Sequence, residues 1–336
     1  MLLSIVLFLL SAAVIYFACE FFVNGVEWLG HHFKLGATAT GTVLAAFGTA
    51  LPESAVTFMA VVFGTTPEQK DIGVGAAMGG PLVLATLAYA VVGLALLRGK
   101  SAAGTARQRT GINADQRRLA RDQAWFMGIF IFKVALGVLA FAWKPWLGIL
   151  FLGVYALYVK RELSHDDECI EAETLEPLKL RPRDPNPSLF WACTQSVLAL
   201  VVIALASHVF VRQIEVLSVA MGLSSHVAAL LLAPVATELP EIMNALIWVR
   251  QGKERLALAN ISGAMMIQAT IPSALGIFLT PWLLDGPLLA AGMLTMVSIM
   301  MLWMRFRTAT MTVPALSSVA GLYALFAVYL GWHFAA

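Results

Sequence analysis

GTVLAAFGTALPESAVTFMAVVFG, residues 41–64, is the stretch whose reading decides the fold. It is apolar and long enough to cross a bilayer as a helix, yet Pro52 and Glu53 stand side by side near its middle. A proline inside a helix removes one backbone donor and frees a carbonyl one turn earlier. A carboxylate at mid-bilayer depth is expensive and is generally kept for function. The same pattern returns in ALLLAPVATELPEIMNALIWVRQG, residues 229–252, with Pro240 followed by Glu241.

The surroundings of both stretches are those of a membrane protein. The 336-residue chain is 60% hydrophobic and 12% charged, against about 45–50% and about 25% in soluble domains. A net charge of +2 gives no basis for a nucleic-acid partner. Cys19, Cys169 and Cys193 show neither metal-ligand spacing nor a disulfide framework. The N-terminal MLLSIVLFLLSAAVIYFAC lacks a positive leader and reads as a first span rather than a cleaved signal.

A transmembrane helix needs about 20 apolar residues. Ten such stretches are marked, at approximately 1–24, 38–64, 72–97, 122–143, 145–160, 188–212, 226–249, 256–279, 282–304 and 311–333. Their runs are continuous rather than alternating, which excludes a barrel. Lys and Arg divide eighteen to three in favour of the loops after spans 1, 3, 5, 7 and 9. Those loops are expected in the cytoplasm and both termini outside. Lys133, inside span 4, belongs to neither set.

A shift of 188 residues lays the chain on itself without a gap for over forty positions. Phe22 meets Phe210, Glu27 meets Glu215, and Thr49-x-Leu51-Pro52-Glu53 meets Thr237-x-Leu239-Pro240-Glu241. Five spans per half is an odd number, so the two halves are expected with opposite orientation. The expected organisation is an all-α membrane protein with an N-terminal five-helix repeat (1–160), a cytoplasmic linker (161–187) that is polar, proline-bearing and long enough only to join the halves, and a C-terminal five-helix repeat (188–336). Inverted repeats with interrupted helices are a transporter signature, with the ion site at the repeat interface near the midplane.

Thr49 and Thr237 lie four residues before Glu53 and Glu241, on the same helical face. Each motif therefore offers oxygen from Thr and a carboxylate from Glu. Two motifs brought together make a cage of hard oxygens, the donor type that Ca2+ takes in sets of 6–8 at about 2.3–2.6 Å. The competing reading of each Pro-Glu is a kink with a satisfied buried acid; two copies at matching positions weigh against it.

GTALPE (48–53) and ATELPE (236–241), each followed by a small-residue helix, resemble the two alpha repeats of the cation/calcium exchanger superfamily, of the sodium/calcium exchanger type. The resemblance covers nearly the whole chain. It implies that Ca2+ is held by Glu53 and Glu241 and by backbone carbonyls of Thr49 and Thr237. It also implies that spans 1 and 6 slide to switch access. The family's usual Gly-Ser-Asn helices are altered here. Gly80 and Leu84 stand at the Ser and Asn/Asp positions of span 3, and Ala264 and Gln268 at those of span 8. The Thr-Ser pairs become Thr49-Ala50 and Thr237-Glu238, so Glu238 adds a third carboxylate, and Gln268 still offers an amide oxygen. The family uses the missing serines mainly for sodium. Desolvation and mutual repulsion make close buried carboxylates take up a proton when no metal is bound. Protons are therefore expected to replace some or all of the sodium.

The expected function is secondary antiport of Ca2+ against Na+ and/or H+, with no enzyme activity and no organic cofactor. The partners are small inorganic cations and the lipid of the cell membrane; a monomer is expected, with an oligomer left open. The rivals are a proton/cation or sodium/proton exchanger without a calcium role, a transport-dead binding or regulatory protein of the same fold, and, more weakly, a channel. Lys133 reads as a counter-cation for the acids or as a Lys that snorkels or pairs elsewhere. His208, matching Glu20, reads as a pH gate or as a packed neutral ring. Asn244 and Asn260 read as interhelical hydrogen-bonders, and Gly75-x-x-x-Gly79 with Gly80 as close-packing positions. The acidic run His165, Asp166, Asp167, Glu168, Glu171 and Glu173 reads as a solvated loop rather than a regulatory calcium site, since it lacks the Gly and alternating spacing of a calcium loop.

Overall fold

The computed structural model describes residues 1–32, 44–98, 111–164 and 175–335, the side chains of 44–49, 98, 162–164 and 335 excepted. The acidic run 165–173 lies outside the described residues. Among those described, the architecture is helical, with one isolated bridge between Gly111 and Thr312.

Among the described residues, helix is found in each of the marked stretches. The segments are α1 (Leu2–His32), α2 (Leu44–Val62), α3 (Pro67–Leu97), α4 (Gln116–Val138), α5 (Gly148–Ser164), α6 (Leu189–Met221), α7 (Ser225–Arg250), α8 (Glu254–Leu279), α9 (Gly286–Arg307) and α10 (Val313–Phe334). Seven of them are long and apolar enough to cross a membrane. The other three are α2, the 17-residue α5, and α4, which carries Arg121, Asp122 and Lys133. Local chemistry sets the ends. Thr66 caps α3 by accepting from Gln69 N at 3.2 Å, with Pro67 in the first turn. Gly222, at φ +65°, closes α6 in the left-handed conformation that glycine adopts without strain.

Burial sorts the helices into inner and outer. The apolar windows of α3 and α8 are 72% and 78% buried, those of α1 and α6 only 28% and 33%. The central pair is therefore α3 and α8. Contacts come in matching sets: α2 packs on α8 and α3 on α7, while α5 packs on α8 and α10 on α3. The outer pair, α1 and α6, lie along each other and cross closely at Gly25, where a Cβ would come within 2.5 Å of Ser196 Oγ. At about 1.5 Å per residue, these 31- and 33-residue helices exceed the roughly 30 Å hydrocarbon core.

Two expectations need correction. α1 continues past residue 24 to His32, because its polar positions find partners. Asn24 and Trp28 donate to the Glu176 carbonyl at 3.4 and 3.0 Å, and Asn24 Oδ1 accepts from Lys179 N at 3.0 Å. The second half of the linker therefore does more than join two halves. Leu178 is fully buried, Leu180 N donates to Gln195 on α6, and His32 meets the Pro187 carbonyl at 2.8 Å. Residues 175–187 form a strap across the shared end of α1 and α6.

Candidate functional site

The site is assembled where α2, α7 and α8 close on α3. Gly75 and Gly79 permit the approach of α7: Cβ atoms there would come within 3.0 Å of Ala229 Cβ and 2.8 Å of Pro234 Cγ. This bears out the close-packing reading of that motif. One residue further, Gly80 faces the acid of α2. A Cβ on Gly80 would overlap Glu53 Oε2 and come within 2.7 Å of Gln268 Oε1. The space in which a serine side chain would begin is taken by a carboxylate and an amide.

The two motif helices differ at this point. α2 runs unbroken through Pro52. α7 divides into Ser225–Thr237 and Leu239–Arg250, with Glu238 at the joint (φ −99°, ψ −18°). The break turns Thr237 and Glu238 together toward α2 and α8. Thr237 Oγ1 lies 2.8 Å from Glu238 Oε1 and 3.3 Å from Glu53 Oε2. Gln268 Nε2 donates to the other Glu238 oxygen at 2.8 Å. Glu53, Thr237, Glu238 and Gln268 are all buried.

A hydroxyl carries one proton. Thr237 can donate to only one of the two carboxylate oxygens it faces, so the other oxygen pair lacks a proton between them. Glu53 Oε1 and Gln268 Oε1 are likewise buried acceptors without a hydrogen-bond donor. Glu53 and Glu238 are ionisable neighbours in direct reach of each other. The cluster holds more oxygen acceptors than donors, and that excess is what a proton or a metal cation satisfies.

Lys133 completes the surroundings. It is fully buried five residues before the end of α4, rather than snorkelling to an interface. Its Nζ donates to the Ala77 carbonyl at 2.7 Å. Pro81, four residues after Ala77, has no N–H, so that carbonyl lacks its helical donor and the ammonium supplies one. The rings of Phe130 and Trp282 flank Nζ at 4.9 and 5.9 Å, and Trp282 Nε1 holds the Lys133 carbonyl at 3.1 Å. Lys133 is the second charge acting on Glu53, beside Glu238.

The remaining candidates are placed as follows. Glu241 is buried three residues beyond Glu238, in the first turn of the second half of α7, and its charge acts on Tyr16 and Cys19 of α1. Glu238, first read as an added third carboxylate, is a neighbour of Glu53. Among the described residues no three Asp, Glu, His or Cys side chains are arranged to hold one metal ion. Thr49 lies on α2, but its side chain is outside the described residues. Glu20 pairs with Lys179 at 3.0 Å; His208, Asn244 and Asn260 are half-buried. One buried cluster escaped the sequence reading altogether. Ser262 Oγ donates to Asp122 at 3.0 Å, and Gln123 Nε2 donates to the Tyr89 hydroxyl at 2.7 Å. Asp122, the one acid within the apolar stretch 122–143, was the available signal.

The family model of the sodium/calcium exchanger protein matches residues 3–161 and 191–334. The chain belongs to the sodium/calcium exchanger protein family. This exchanger-family chain is 27% identical over 292 residues to the inner membrane protein YrbG of Escherichia coli (strain K12), covering 85% of this chain and 82% of that protein. It is similar in fold to the crystal structure of the H+/Ca2+ exchanger CAX, with a TM-score of 0.74, 16% identity, and coverage of 97% of this chain and 81% of that one. It is also similar to the sodium-calcium exchanger NCX_Mj soaked with 100 mM Na+ and 10 mM Sr2+. There the TM-score is 0.58 at 19% identity, with 96% and 97% covered. At such identities these structures speak for the fold alone. The exchanger family consists of multi-pass membrane transporters rather than enzymes, and the helical architecture agrees with it.

Proposed function

We propose that this exchanger carries Ca2+ in one direction and H+ and/or Na+ in the other, by alternating access across the cell membrane. Its ten helical segments are read as ten spans in two inverted five-helix repeats, 1–160 and 188–336, with both termini outside. Glu53 and Glu238 supply charge at the described cluster, with oxygen from Thr237 and Gln268. Thr49 contributes its backbone oxygen. Loading a divalent ion draws Glu241 toward the pair, since Ca2+ takes 6–8 oxygen ligands.

The observation that carries this reading is the acceptor excess. Two buried carboxylates from opposite halves of the chain face one hydroxyl proton between them. A site of this kind holds a cation or a proton at every stage of a cycle, which is the requirement of coupled exchange. The absence of serine hydroxyls at Gly80 and Ala264 favours protons as a counter-ion over sodium alone.

The test is radioactive calcium uptake into proteoliposomes, driven first by a sodium gradient and then by a pH gradient. Uptake under either gradient, abolished by Glu53→Gln, is the expected result. Sodium or proton flux without calcium uptake would move the reading to a monovalent exchanger. No flux of any ion would leave a binding or regulatory protein of the same fold.

A further inference from the structure

The buried charges of this site are more numerous than two motif glutamates require. Three fully buried carboxylates, Glu53, Glu238 and Glu241, lie on α2 and α7. Glu238 has no counterpart in the first half, where the matching residue is Ala50. Among the described residues only two Lys or Arg side chains are buried, Lys133 and Lys144. Lys144 is accounted for at the end of α4, where its Nζ donates to the carbonyls of Leu136, Leu139 and Trp282. Lys133 is directed instead into the bundle, on the turn of α3 that meets the acids. Ala77 receives its ammonium, and Gly80, three residues on, lies against Glu53 and Gln268.

We infer that Lys133 is a resident cation beside the acid cluster that offsets in total charge the carboxylate Glu238 adds, and so sets how many mobile charges the site takes per cycle. With Lys133 in place, three carboxylates present the net charge of two. One divalent ion, or its equivalent in monovalent ions, then neutralises the site. The ammonium is fixed by geometry: the carbonyl freed by Pro81 and the faces of Phe130 and Trp282 hold it where no transported ion displaces it. Glu238 is fixed equally, by Thr237 on one oxygen and Gln268 on the other. Lys133 belongs to the frame of the site, and Glu53, Glu238 and Glu241 share the two negative charges left for the moving ion. This inference rests on the exchange reading above for its ion count, but not for the charge pairing itself.

The experiment uses the full chain in proteoliposomes, comparing wild type, Lys133→Met, Glu238→Gln and the double variant. Valinomycin and K+ hold the membrane potential at zero, and the counter-ion gradient at which calcium flux reverses reports the counter-ions exchanged per Ca2+. Lys133→Met is expected to add one monovalent ion to the ratio, or to lower flux at least about ten-fold because a buried acid has lost its partner. Glu238→Gln is expected to remove one monovalent ion or to lower flux, and the double variant to restore the wild-type ratio. A merely structural lysine would leave that ratio unmoved. A wild-type ratio and flux in Lys133→Met overturns the inference, as does a double variant no better than the worse single one. Melting temperatures of the same four proteins in detergent keep the two readings apart. If wild type carries no calcium, the exchange reading fails alone. The charge pairing then stands if each single variant melts lower and the double variant recovers, and falls if it does not recover.

Discussion

The two copies of Thr-x-Leu-Pro-Glu share three residues beyond their glutamates, yet fold differently. α2 passes through Pro52 as one helix, while α7 is severed at Glu238. One difference between the copies stands at the break itself. Ala50 of α2 is an apolar residue buried in helix, and the helix simply continues. Glu238 of α7 must find partners for both carboxylate oxygens inside the bundle, and it finds them in Thr237 and Gln268. Those bonds are made from a joint between two half-helices. The lesson is that a repeated motif specifies where a helix is weak, and its neighbours decide whether it breaks.

The largest expected effect comes from removing the acid that the unbroken copy contributes. Glu53→Gln should reduce calcium uptake by more than about 100-fold, since it deletes a buried ion-facing charge. Uptake within a few-fold of wild type would show that α2 contributes packing alone. Next is the glycine beside that acid. Gly80→Ala should lower flux at least about ten-fold and destabilise the fold by roughly 1–3 kcal/mol, the usual cost of overpacking. A methyl group there collides with the Glu53 carboxylate and crowds Gln268. An unchanged melting temperature and an unchanged flux together would mean that Glu53 is not held against α3.

Making the broken copy resemble the unbroken one sharpens the comparison. Glu238→Ala removes the partner of the Gln268 amide and one partner of the Thr237 hydroxyl. Leaving such groups unsatisfied costs about 1–3 kcal/mol, and the variant should melt lower while Glu238→Gln melts closer to wild type. Equal melting of the two would detach the break from the hydrogen bonds of Glu238. The smallest effect belongs to the strap on the outer pair of helices. Lys179→Ala loses the partly exposed ion pair with Glu20, worth about 0.2–1 kcal/mol. The counter-ion gradient at which calcium flux reverses should stay where it is, because the strap lies on α1 and α6 rather than at the acids.

Much of this architecture could be read from the chain. Among the described residues every marked apolar stretch carries helix, and seven helices are long and apolar enough to cross a membrane, because continuous hydrophobic runs bounded by polar turns leave few alternatives in lipid. Thr237, Glu238 and Gln268 were candidates from their place relative to the two motifs; Thr237 and Glu238 neighbour Glu53, and Gln268 reaches Glu238. What could not be read was which acid meets which. Glu53 and Glu241 are equivalent by sequence, and only the break in α7 brings Glu238 to Glu53. The purpose of Pro81 was also hidden, since the donor that satisfies Ala77 comes from Lys133 on another helix. The linker misled for a related reason: its polarity signals solvent, but the polar residues of α1 and α6 offered it hydrogen bonds.

The sequence by itself determined a helical membrane protein with a repeated, proline-interrupted acidic motif, because hydropathy and chain spacing are one-dimensional properties. Tertiary structure decided the pairing of Glu53 with Glu238, the seat of Lys133 and the fit of Gly80 against a carboxylate. Those depend on angles and distances between helices far apart in the chain. Buried polar groups are matched one to one, and the partner is chosen by reach rather than by position in the sequence.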